Sequence, residues 1–343
     1  MTALDVEKTI AHLRAGNLEA VLAPNKKKGT PEKIVPLTPA YLNTLVRCCL
    51  TASPSNLLSV WDFSQVEARA LAWAAEDHDA LARFALYDSG DHDNGDPYAA
   101  MAAKIFGGKP GDYVKGTAGE YPGRHIGKQA ELGCGYGMGA PKFHSKVITD
   151  GGNWPDIIAA MGLDVEPEEA AEIVVSAWRE LHAPIVCFWR EVQQAAVTAT
   201  LYKQSASAGP FVFHNVEGLV LCELPSGRSV VYRGMRSDPD EYDRPSLSYV
   251  GRKGRERTYG GKLVENLIQA FCRDLMAQAL ITAEEMGLCP SHTIHDEILN
   301  DVPADQAEDA HALMGEIMVQ VPAWARGMPI AAEGLPLSFR YGK

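Results

Sequence analysis

Hydrophobic periodicity predicts one long amphipathic helix in the last third of the chain. Between residues 260 and 286, Leu263, Leu267, Phe271 and Leu275 recur at helical spacing and form an apolar stripe. A polar stripe follows the same helix at i, i+4, i+7 and i+11: Lys262, Asn266, Gln269 and Arg273. We expect the helix to bury its apolar stripe.

Shorter helical patterns alternate with segments rich in Gly, Pro, Asp or Lys. We predict helices at the following positions: 1–22, 39–50, 64–76, 96–106, 123–134, 166–182, 184–202 and 304–320. Residues 23–36 are expected to be an exposed linker. Residues 77–95 are rich in Asp and Gly and are expected to be a loop.

Runs of apolar and β-branched residues predict a smaller number of strands. Residues 57–61 form a short apolar strand that ends at Asp62. Residues 210–235 alternate with period two around a Pro-Ser-Gly turn, which predicts a β-meander. The following segment, 236–257, is strongly basic and is expected to be a loop.

The segment SHTIHDEILNDVP, residues 291–303, predicts a β-hairpin. Its apolar strand residues flank His295, Asp296 and Glu297, so we expect all three ionisable groups at the tip. A further helix and an irregular tail follow. The mixture of long helices and few strands predicts an α+β fold.

Composition indicates a folded globular protein. The chain has 343 residues, of which 46% are hydrophobic and 22% charged, so it is long enough for two lobes. It contains no run of 18 apolar residues, and no membrane association is expected. Seven cysteines without a CxxC spacing argue against a disulfide framework or a zinc site and favour a reducing cytosol.

The net charge of −12 would ordinarily count against nucleic-acid binding, but the distribution of charge matters more than the total. Basic residues crowd one segment: Arg228, Arg233, Arg236, Arg244, Arg252, Lys253, Arg255 and Arg257. A second cluster consists of Lys26, Lys27 and Lys28. The alternative to a binding surface is a solvated basic face.

Two carboxylates lie at strand ends or turns, Asp62 and Asp296. A two-metal phosphoryl-transfer enzyme needs such a pair, because Mg²⁺ prefers hard oxygen ligands and keeps several waters. The alternative is that both are ordinary strand-end or turn residues. Near Asp62, Ser64 and Glu67 also fit a capping box at the start of a helix, which alone could explain both of them.

A third candidate is GRHIGKQAELGCGYGMG, residues 123–139. Arg124, Lys128, Leu132 and Tyr136 are spaced at i, i+4, i+8 and i+12, which places them on one helical face. Two cations followed by an apolar and an aromatic group could bind a nucleoside triphosphate. A solvated basic stripe with a core Leu and Tyr explains the same spacing.

These segments, in this order, resemble motifs A, B and C of the family A DNA polymerases, the bacterial DNA polymerase I type, and are most similar to phage-encoded members. DFSQVEAR resembles motif A, RHIGKQAELGCGYG resembles motif B, and HDE resembles motif C. The intervening segments DPYAAMAAKIFG, SAWRELHAPIVCFWREV, LPSGRSVVY and YGGKLVENLIQAFCRDL are also similar, so the resemblance covers roughly residues 45–303.

The resemblance implies a palm, with a small antiparallel sheet and helices, and a helical fingers subdomain. It divides the chain into an N-terminal helix and linker (1–44), palm with motif A (45–76), fingers with motif B at 124–137 (77–205), and palm with motif C at 295–297 (206–343). The implied activity is DNA-directed DNA synthesis. Phage origin would place it in the cytoplasm of a bacterial host.

The resemblance also assigns roles to residues. Asp62 and Asp296 would bind two Mg²⁺ ions, with Mn²⁺ as a substitute, the main chain at Phe63 would complete the metal shell, and Glu297 would support them. The dNTP would contact Arg124, Lys128, Leu132 and Tyr136, and Glu67 would exclude the ribose 2′-hydroxyl. Primer-template contacts would come from His295 and Gln269, with Asn266 and Lys262 as neighbouring candidates.

Two departures from the family pattern stand out. Leu132 occupies a position where the bacterial enzymes carry an aromatic residue, so we expect altered sugar discrimination. The first 45 residues are too few for a thumb and carry no acidic exonuclease signature. We therefore expect a split polymerase, whose thumb and 3′–5′ exonuclease come on a separate polypeptide that residues 1–40 would contact.

Two other classes of function compete with a polymerase. A non-catalytic DNA-binding accessory subunit derived from a polymerase lobe would be expected to have lost some of the motif residues, which this chain retains. A two-metal nuclease would need no nucleotide-binding helix, so the face of residues 124–136 disfavours it.

Overall fold

The structure is a computed structural model that describes residues 49–239 and 245–342. The predicted helix at 1–22, the linker with its lysine cluster, most of the predicted helix at 39–50, and Arg244 lie outside the described residues. The chain divides into two compact units. Unit 1 contains the described residues up to Phe63, Ala279–Met318 and the residues from Ala332 onward; unit 2 contains Ser64–Gln278 and Val319–Ala331.

The helices of the described residues are, in chain order, α1 (Val66–Ala74), α2 (His78–Asp88), α3 (His92–Gly95), α4 (Pro97–Phe106), α5 (His125–Cys134), α6 (Ala140–Thr149), α7 (Trp154–Met161), α8 (Pro167–Leu181), α9 (Ala183–Val197), α10 (Gly260–Glu285) and α11 (Ala307–Met318). Two π-helical turns, Glu120–Arg124 and Thr198–Tyr202, adjoin α5 and α9. Short 3-10 turns lie at Pro110–Tyr113 and Ala323–Ala325.

The strands are β1 (Asn56–Phe63), β2 (Ala206–Ala208), β3 (Phe211–Val216), β4 (Leu219–Glu223), β5 (Ser229–Tyr232), β6 (Arg236–Pro239), β7 (Pro245–Gly251), β8 (Gly254–Thr258), β9 (His292–Ile294), β10 (Glu297–Pro303) and β11 (Ala332–Ser338). They form a four-stranded sheet in the order β11-β1-β10-β9, a four-stranded meander β2-β3-β4-β5, and a three-stranded sheet β6-β7-β8. The pairings are antiparallel, and the α+β prediction is confirmed.

Unit 1 is built around the sheet that contains β1 and β10. Successive side chains of β1 point to opposite faces, so each face packs against a different layer. On one face, the Trp61 ring lies 4.9 Å from the His311 ring of α11, and the Trp61 indole N–H donates to the His311 carbonyl at 2.9 Å. On the other face, Val60 belongs to a buried cluster with Leu299 and Tyr341.

In unit 2, the long predicted helix is confirmed as α10, and its four apolar-stripe residues are buried. The meander at 210–235 is confirmed as β3, β4 and β5. The paired helices α8 and α9 also match the sequence prediction. These are the elements whose apolar periodicity is longest, because burial of a regular face dominates their free energy.

The acid-rich segment 77–95 is not a loop, as the sequence predicted, but contains α2 and α3. Its aspartates begin these helices: Asp77 accepts from the Ala80 amide at 3.0 Å, and Asp91 accepts from the Asn94 amide at 3.2 Å. Aspartate satisfies the free amides at a helix start as readily as it stabilises a turn. The sequence interpretation chose the wrong alternative.

Two predictions of irregular structure were also wrong. The basic segment 236–257 forms the three-stranded sheet β6-β7-β8 within the described residues. The tail contains β11, which pairs with β1 at the edge of the unit 1 sheet. Within the described part of the chain, no helix combines the length and the apolar character that crossing a membrane requires.

Candidate active site

In unit 1, the pairing of β1 with β10 brings the two candidate metal-binding aspartates to one end of a sheet. Asp62 lies directly opposite Glu297 in the antiparallel register, and the Phe63 amide donates to the Asp296 carbonyl at 3.1 Å. Asp62 and Asp296 are both half-buried. Main-chain pairing thus holds Asp62 on β1, and the Phe63 amide holds the hairpin turn that carries Asp296 beside it.

The hairpin tip has two residues, not three. Ile294 pairs with Glu297, which leaves His295 and Asp296 as the turn and places Glu297 on β10. His295 is exposed and has a φ of 54°, a left-handed conformation that is uncommon for residues other than glycine. Such strain often lies at functional sites, and here it lies in the two-residue turn that also contains Asp296.

Glu297 is almost fully buried, with 3% of its surface exposed. The Tyr341 hydroxyl donates to both of its carboxylate oxygens, at 2.8 and 3.1 Å. Tyr341 itself is 1% exposed and lies 44 positions later in the chain, so no local sequence signal could identify the pair. These contacts fix the carboxylate that was expected to support the metal ligands.

The residues at this end of the sheet fit a hard divalent cation. The side chains offered are carboxylates, and Mg²⁺ commonly uses one or two carboxylates together with waters and substrate phosphates. Among the described residues, no group of three or more His, Cys, Asp or Glu side chains is placed to hold a metal ion. Two carboxylates would leave the rest of an ion's coordination shell to water and substrate.

In unit 2, the capping box expected at Ser64 and Glu67 is absent. Gln65 occupies the N-cap of α1 with a φ of 53° and makes no side-chain cap hydrogen bond. Arg69 holds this turn instead: its Nε donates to the Ser64 carbonyl at 2.8 Å, and its guanidinium makes a bidentate pair with Asp88 at 2.7 Å. The start of α1 is thus held by a buried arginine and not by a side-chain cap.

Glu67 is exposed and accepts a hydrogen bond from the Tyr136 hydroxyl at 2.9 Å. Burial, the nearby charge of Glu67 and this hydrogen bond raise the pKa of Tyr136 well above its ordinary value. Helix α5 ends at Cys134, and Tyr136 lies two residues beyond that end. The single helical face expected for residues 124–136 therefore stops before Tyr136. The contact to Glu67 nevertheless brings motif A and motif B residues together.

Arg124 and Lys128 lie on the same side of the start of α5. The Arg124 Nε donates to Asp96 at 2.7 Å, and the Arg124 and Lys128 cationic groups lie 5.0 and 6.0 Å from the centre of the Tyr98 ring. Asp96 also accepts the Tyr98 amide at the start of α4. Burial and the charge of Glu131 raise the pKa of Tyr98 to about 12, so its hydroxyl is neutral at ordinary pH.

Leu132 is 58% exposed, whereas its neighbours Gly133 and Cys134 are buried. It lines a small pocket of unit 2 together with Glu67 and Tyr136. Three of the candidate nucleotide contacts therefore surround one cavity.

Three of the candidate primer-template residues lie on the polar stripe of α10. Gln269 is exposed, and Lys262 and Asn266 are half-buried. Lys262 pairs with Glu265 at 2.9 Å on the same helix. The sequence placed this stripe correctly, while the roles of its members stay predictions.

A buried histidine, His182, contacts Glu131 of α5, and the sequence analysis did not predict this contact. His182 is 4% exposed; its Nδ1 lies 2.8 Å from Asp77 and its Nε2 lies 3.1 Å from Glu131, next to Leu132 on α5. Burial alone would lower the pKa of His182, but the charge of Glu131 and hydrogen bonds to both carboxylates outweigh it and raise the pKa to about 9. An imidazolium thus neutralises two inward-facing acids.

Comparisons with known proteins agree with the resemblance found in the sequence. The chain is 32% identical over 333 residues to a DNA polymerase of Bacillus phage SP02, a match that covers 94% of this chain and 45% of the relative. The fold is similar to that of the POL domain of Pol1 from M. smegmatis in complex with DNA primer-template and dNTP, with a TM-score of 0.53, 16% identity, and coverage of 90% of this chain and 44% of that chain. No protein-family model matches the chain. The chain thus spans less than half the length of each of these two proteins.

The His182 cluster predicts a characteristic dependence of stability on pH. Because the folded pKa of about 9 exceeds the unfolded value of 6.5, the stabilisation is complete below pH 6.5 and is lost as the pH rises towards 9. At acid pH, burial raises the pKa of Asp77, but its hydrogen bonds to His182 and to the Ala80 amide outweigh burial and lower that pKa below 3.8. The stabilisation that ionised Asp77 contributes is therefore lost only when the pH falls below 3.8. We expect His182→Ala to reduce the free energy of unfolding by about 3 kcal/mol near pH 6, because it leaves buried carboxylates unpaired.

Urea unfolding of the wild type and of His182→Ala between pH 5 and 9 measures this difference in the free energy of unfolding. Its matched control is His78→Ala, since His78 is exposed and its replacement should change stability by less than about 0.5 kcal/mol. A wild-type advantage that stays constant up to pH 9 would contradict the assigned charge of His182.

Proposed function

Because the chain is related to the family A DNA polymerases over almost its whole length, we propose that it catalyses template-directed addition of dNTPs to a primer 3′-hydroxyl. The observation that carries this proposal is that Asp62, near the end of β1, lies beside the hairpin turn that carries Asp296, through the Phe63 amide contact. Base pairing with the template would select the nucleotide, while the protein contacts backbone and duplex shape. The similarity to a phage polymerase supports a setting in the bacterial cytoplasm.

In unit 1, Asp62, Asp296 and the main chain at Phe63 would hold two Mg²⁺ ions, or Mn²⁺ in their place. When bound, these ions would lower the pKa of the primer hydroxyl and neutralise charge on the departing pyrophosphate. The chain itself supplies rigid carboxylates: Glu297 is locked by Tyr341, and β-pairing orients Asp62. His295, exposed at the hairpin tip, would contact the primer terminus.

In unit 2, Arg124 and Lys128 would bind the triphosphate, because both cations lie by the Tyr98 ring at the start of α5. Glu67, held by the Tyr136 hydroxyl, would exclude a ribose 2′-hydroxyl, and Tyr136 would stack near the templating base. The polar stripe of α10, through Gln269, Asn266 and Lys262, would contact primer-template DNA. Each of these roles follows from the resemblance. Lys128, Glu67 and Gln269 are exposed, whereas Arg124 is largely buried and paired with Asp96.

Replacement of Asp296 tests the catalytic assignment. We expect Asp296→Asn to reduce single-nucleotide incorporation about a thousandfold, because it removes several kcal/mol of electrostatic stabilisation in the transition state. The assay is primer extension with Mg²⁺. Asp305→Asn is the matched control, since Asp305 is an exposed acid of the same unit.

Equal extension by wild type and Asp296→Asn would refute the assignment. Loss of extension together with retained binding of primer-template DNA would exclude the alternative of a non-catalytic accessory subunit. The same pair of measurements therefore separates the two functions.

Leu132 predicts altered discrimination between sugars. An exposed leucine can contact a ribose but cannot stack on it as an aromatic residue would. We expect Leu132→Phe to change the ratio of dideoxynucleotide to deoxynucleotide incorporation about fivefold, which corresponds to a contact of about 1 kcal/mol. Leu163→Phe, at another exposed leucine, should leave the ratio unchanged. An unchanged ratio in Leu132→Phe would end this interpretation.

We also propose that a separate polypeptide with a thumb and a 3′–5′ exonuclease acts with this chain. A thumb adds contacts to duplex phosphates, and affinity for DNA rises with the number of such contacts. We expect the purified chain to make short products on a long primed template at physiological salt and longer ones after the partner is added. Products of equal length with and without that partner would contradict the hypothesis.

A further inference from the structure

The basic segment that the sequence analysis left open between a binding surface and a solvated face is a folded antiparallel sheet, β6-β7-β8 of unit 2. Its cross-strand register decides which residues share a face. Arg236 on β6 and Arg257 on β8 are both paired with Ser248 on the central strand, so all three side chains lie on one face.

Arg255 and Val250 belong to the same face, because residues two positions apart along a strand point the same way. Arg255 donates to the Ser248 hydroxyl at 3.1 Å and to the Gly234 carbonyl at 3.1 Å, which fixes its guanidinium across the sheet. Ser248 is only 6% exposed, whereas the three arginines that share its face are exposed. The face therefore presents three cations, of which Arg255 is held in place by hydrogen bonds.

Further positive charge continues from this face to the end of the sheet. The β7–β8 turn carries Arg252 and Lys253, both exposed, and exposed Arg233 precedes β6. Among the described residues, none of the cations on the face or at the turn forms an ion pair: Arg233, Arg236, Arg252, Lys253, Arg255 and Arg257. By contrast, exposed Arg228 of the same basic run pairs with Asp274, so we do not count it among these cations.

We propose that this face, the cationic sheet, binds the phosphate backbone of duplex DNA. Its members are Arg236, Arg252, Lys253, Arg255 and Arg257. Charge complementarity carries the proposal: a chain with a net charge of −12 concentrates on one surface cations that form no ion pair with any other described residue. A solvated face would gain nothing from such clustering, because like charges on neighbouring strands repel.

The chemistry of the face favours phosphates over bases. None of the described residues on the arginine side of β6, β7 and β8 is aromatic, so this side offers no platform for stacking unpaired bases. One exposed carboxylate, Asp238, lies two residues from Arg236 on the same side. Arginines contact phosphates without regard to sequence, which suits an enzyme that copies any template. The inference deepens the proposed function and rests on it for the identity of the nucleic acid.

The test measures how binding to a short fluorescent DNA duplex depends on salt. Each phosphate contact contributes roughly −0.9 to the slope of log K against log salt concentration. We expect the combined variant Arg236→Gln, Arg252→Gln, Lys253→Gln, Arg257→Gln to have a slope less steep than wild type by about 2–4. Arg255 is left unchanged, because it holds Ser248 and Gly234.

Two further variants make the result specific. Lys109→Gln, Lys115→Gln, Lys142→Gln, Lys203→Gln removes the same charge from exposed positions elsewhere in unit 2 and should keep the wild-type slope. Arg236→Lys, Arg252→Lys, Arg257→Lys keeps the charge of the sheet and should also keep the slope, because a phosphate accepts a point charge.

The proposal is overturned if the glutamine variant of the sheet keeps the wild-type slope, or if the control variant loses as much. It is also overturned if the lysine variant has a less steep salt dependence of log K than wild type, because a contact that needs only positive charge would then be excluded. The assay needs no catalysis. A wild type that binds duplex through the sheet but adds no nucleotide would defeat the proposed function and leave the cationic sheet in place.

Discussion

The antiparallel pairing of β1 with β10 is the constraint on which the candidate chemistry depends. It joins two segments that are distant in sequence and sets Asp62 opposite Glu297. A shift of one residue would turn Asp62 to the opposite face of the sheet, because side chains alternate along a strand. Packing prevents that shift, since Trp61 contacts α11 on one face while Val60 lies in the cluster with Tyr341 on the other. The apolar core of unit 1 thus determines where its carboxylates lie.

Unit 2 orders its polar groups in a different way, with buried acids that each hold a basic or hydroxyl group. Asp96 begins α4 and also accepts from Arg124, so a single carboxylate joins the start of one helix to a cation at the start of α5. His182 lies between Asp77 and Glu131 and joins α5 to two other elements. A charge removed from water is stable only with such partners. The same contacts that offset the cost of burial therefore fix the orientation of α5.

Sequence periodicity predicted the elements whose stability comes from a regular apolar face, such as α10 and the meander, and motif order predicted which acids of unit 1 would meet. Prediction from the sequence failed where one residue type is common in two kinds of structure. Aspartates at 77 and 91 are helix caps, although the same residues are common in loops. Strand β11 owes its conformation to pairing with β1, and Tyr341 meets Glu297 only in the folded chain. Neither contact has a local signal.

The basic segment shows why charge and conformation need to be considered separately. A dense run of arginine suggests an exposed loop, yet β7 also contains buried Leu247, and Thr258 of β8 is buried opposite it. These two positions hold one side of the sheet against unit 2, so the other side is free to carry like charges without loss of structure. Their mutual repulsion is tolerated because water and salt screen exposed charges. Repulsion of that kind is relieved further when a polyanion replaces the water, which is the physical reason to connect this sheet with DNA.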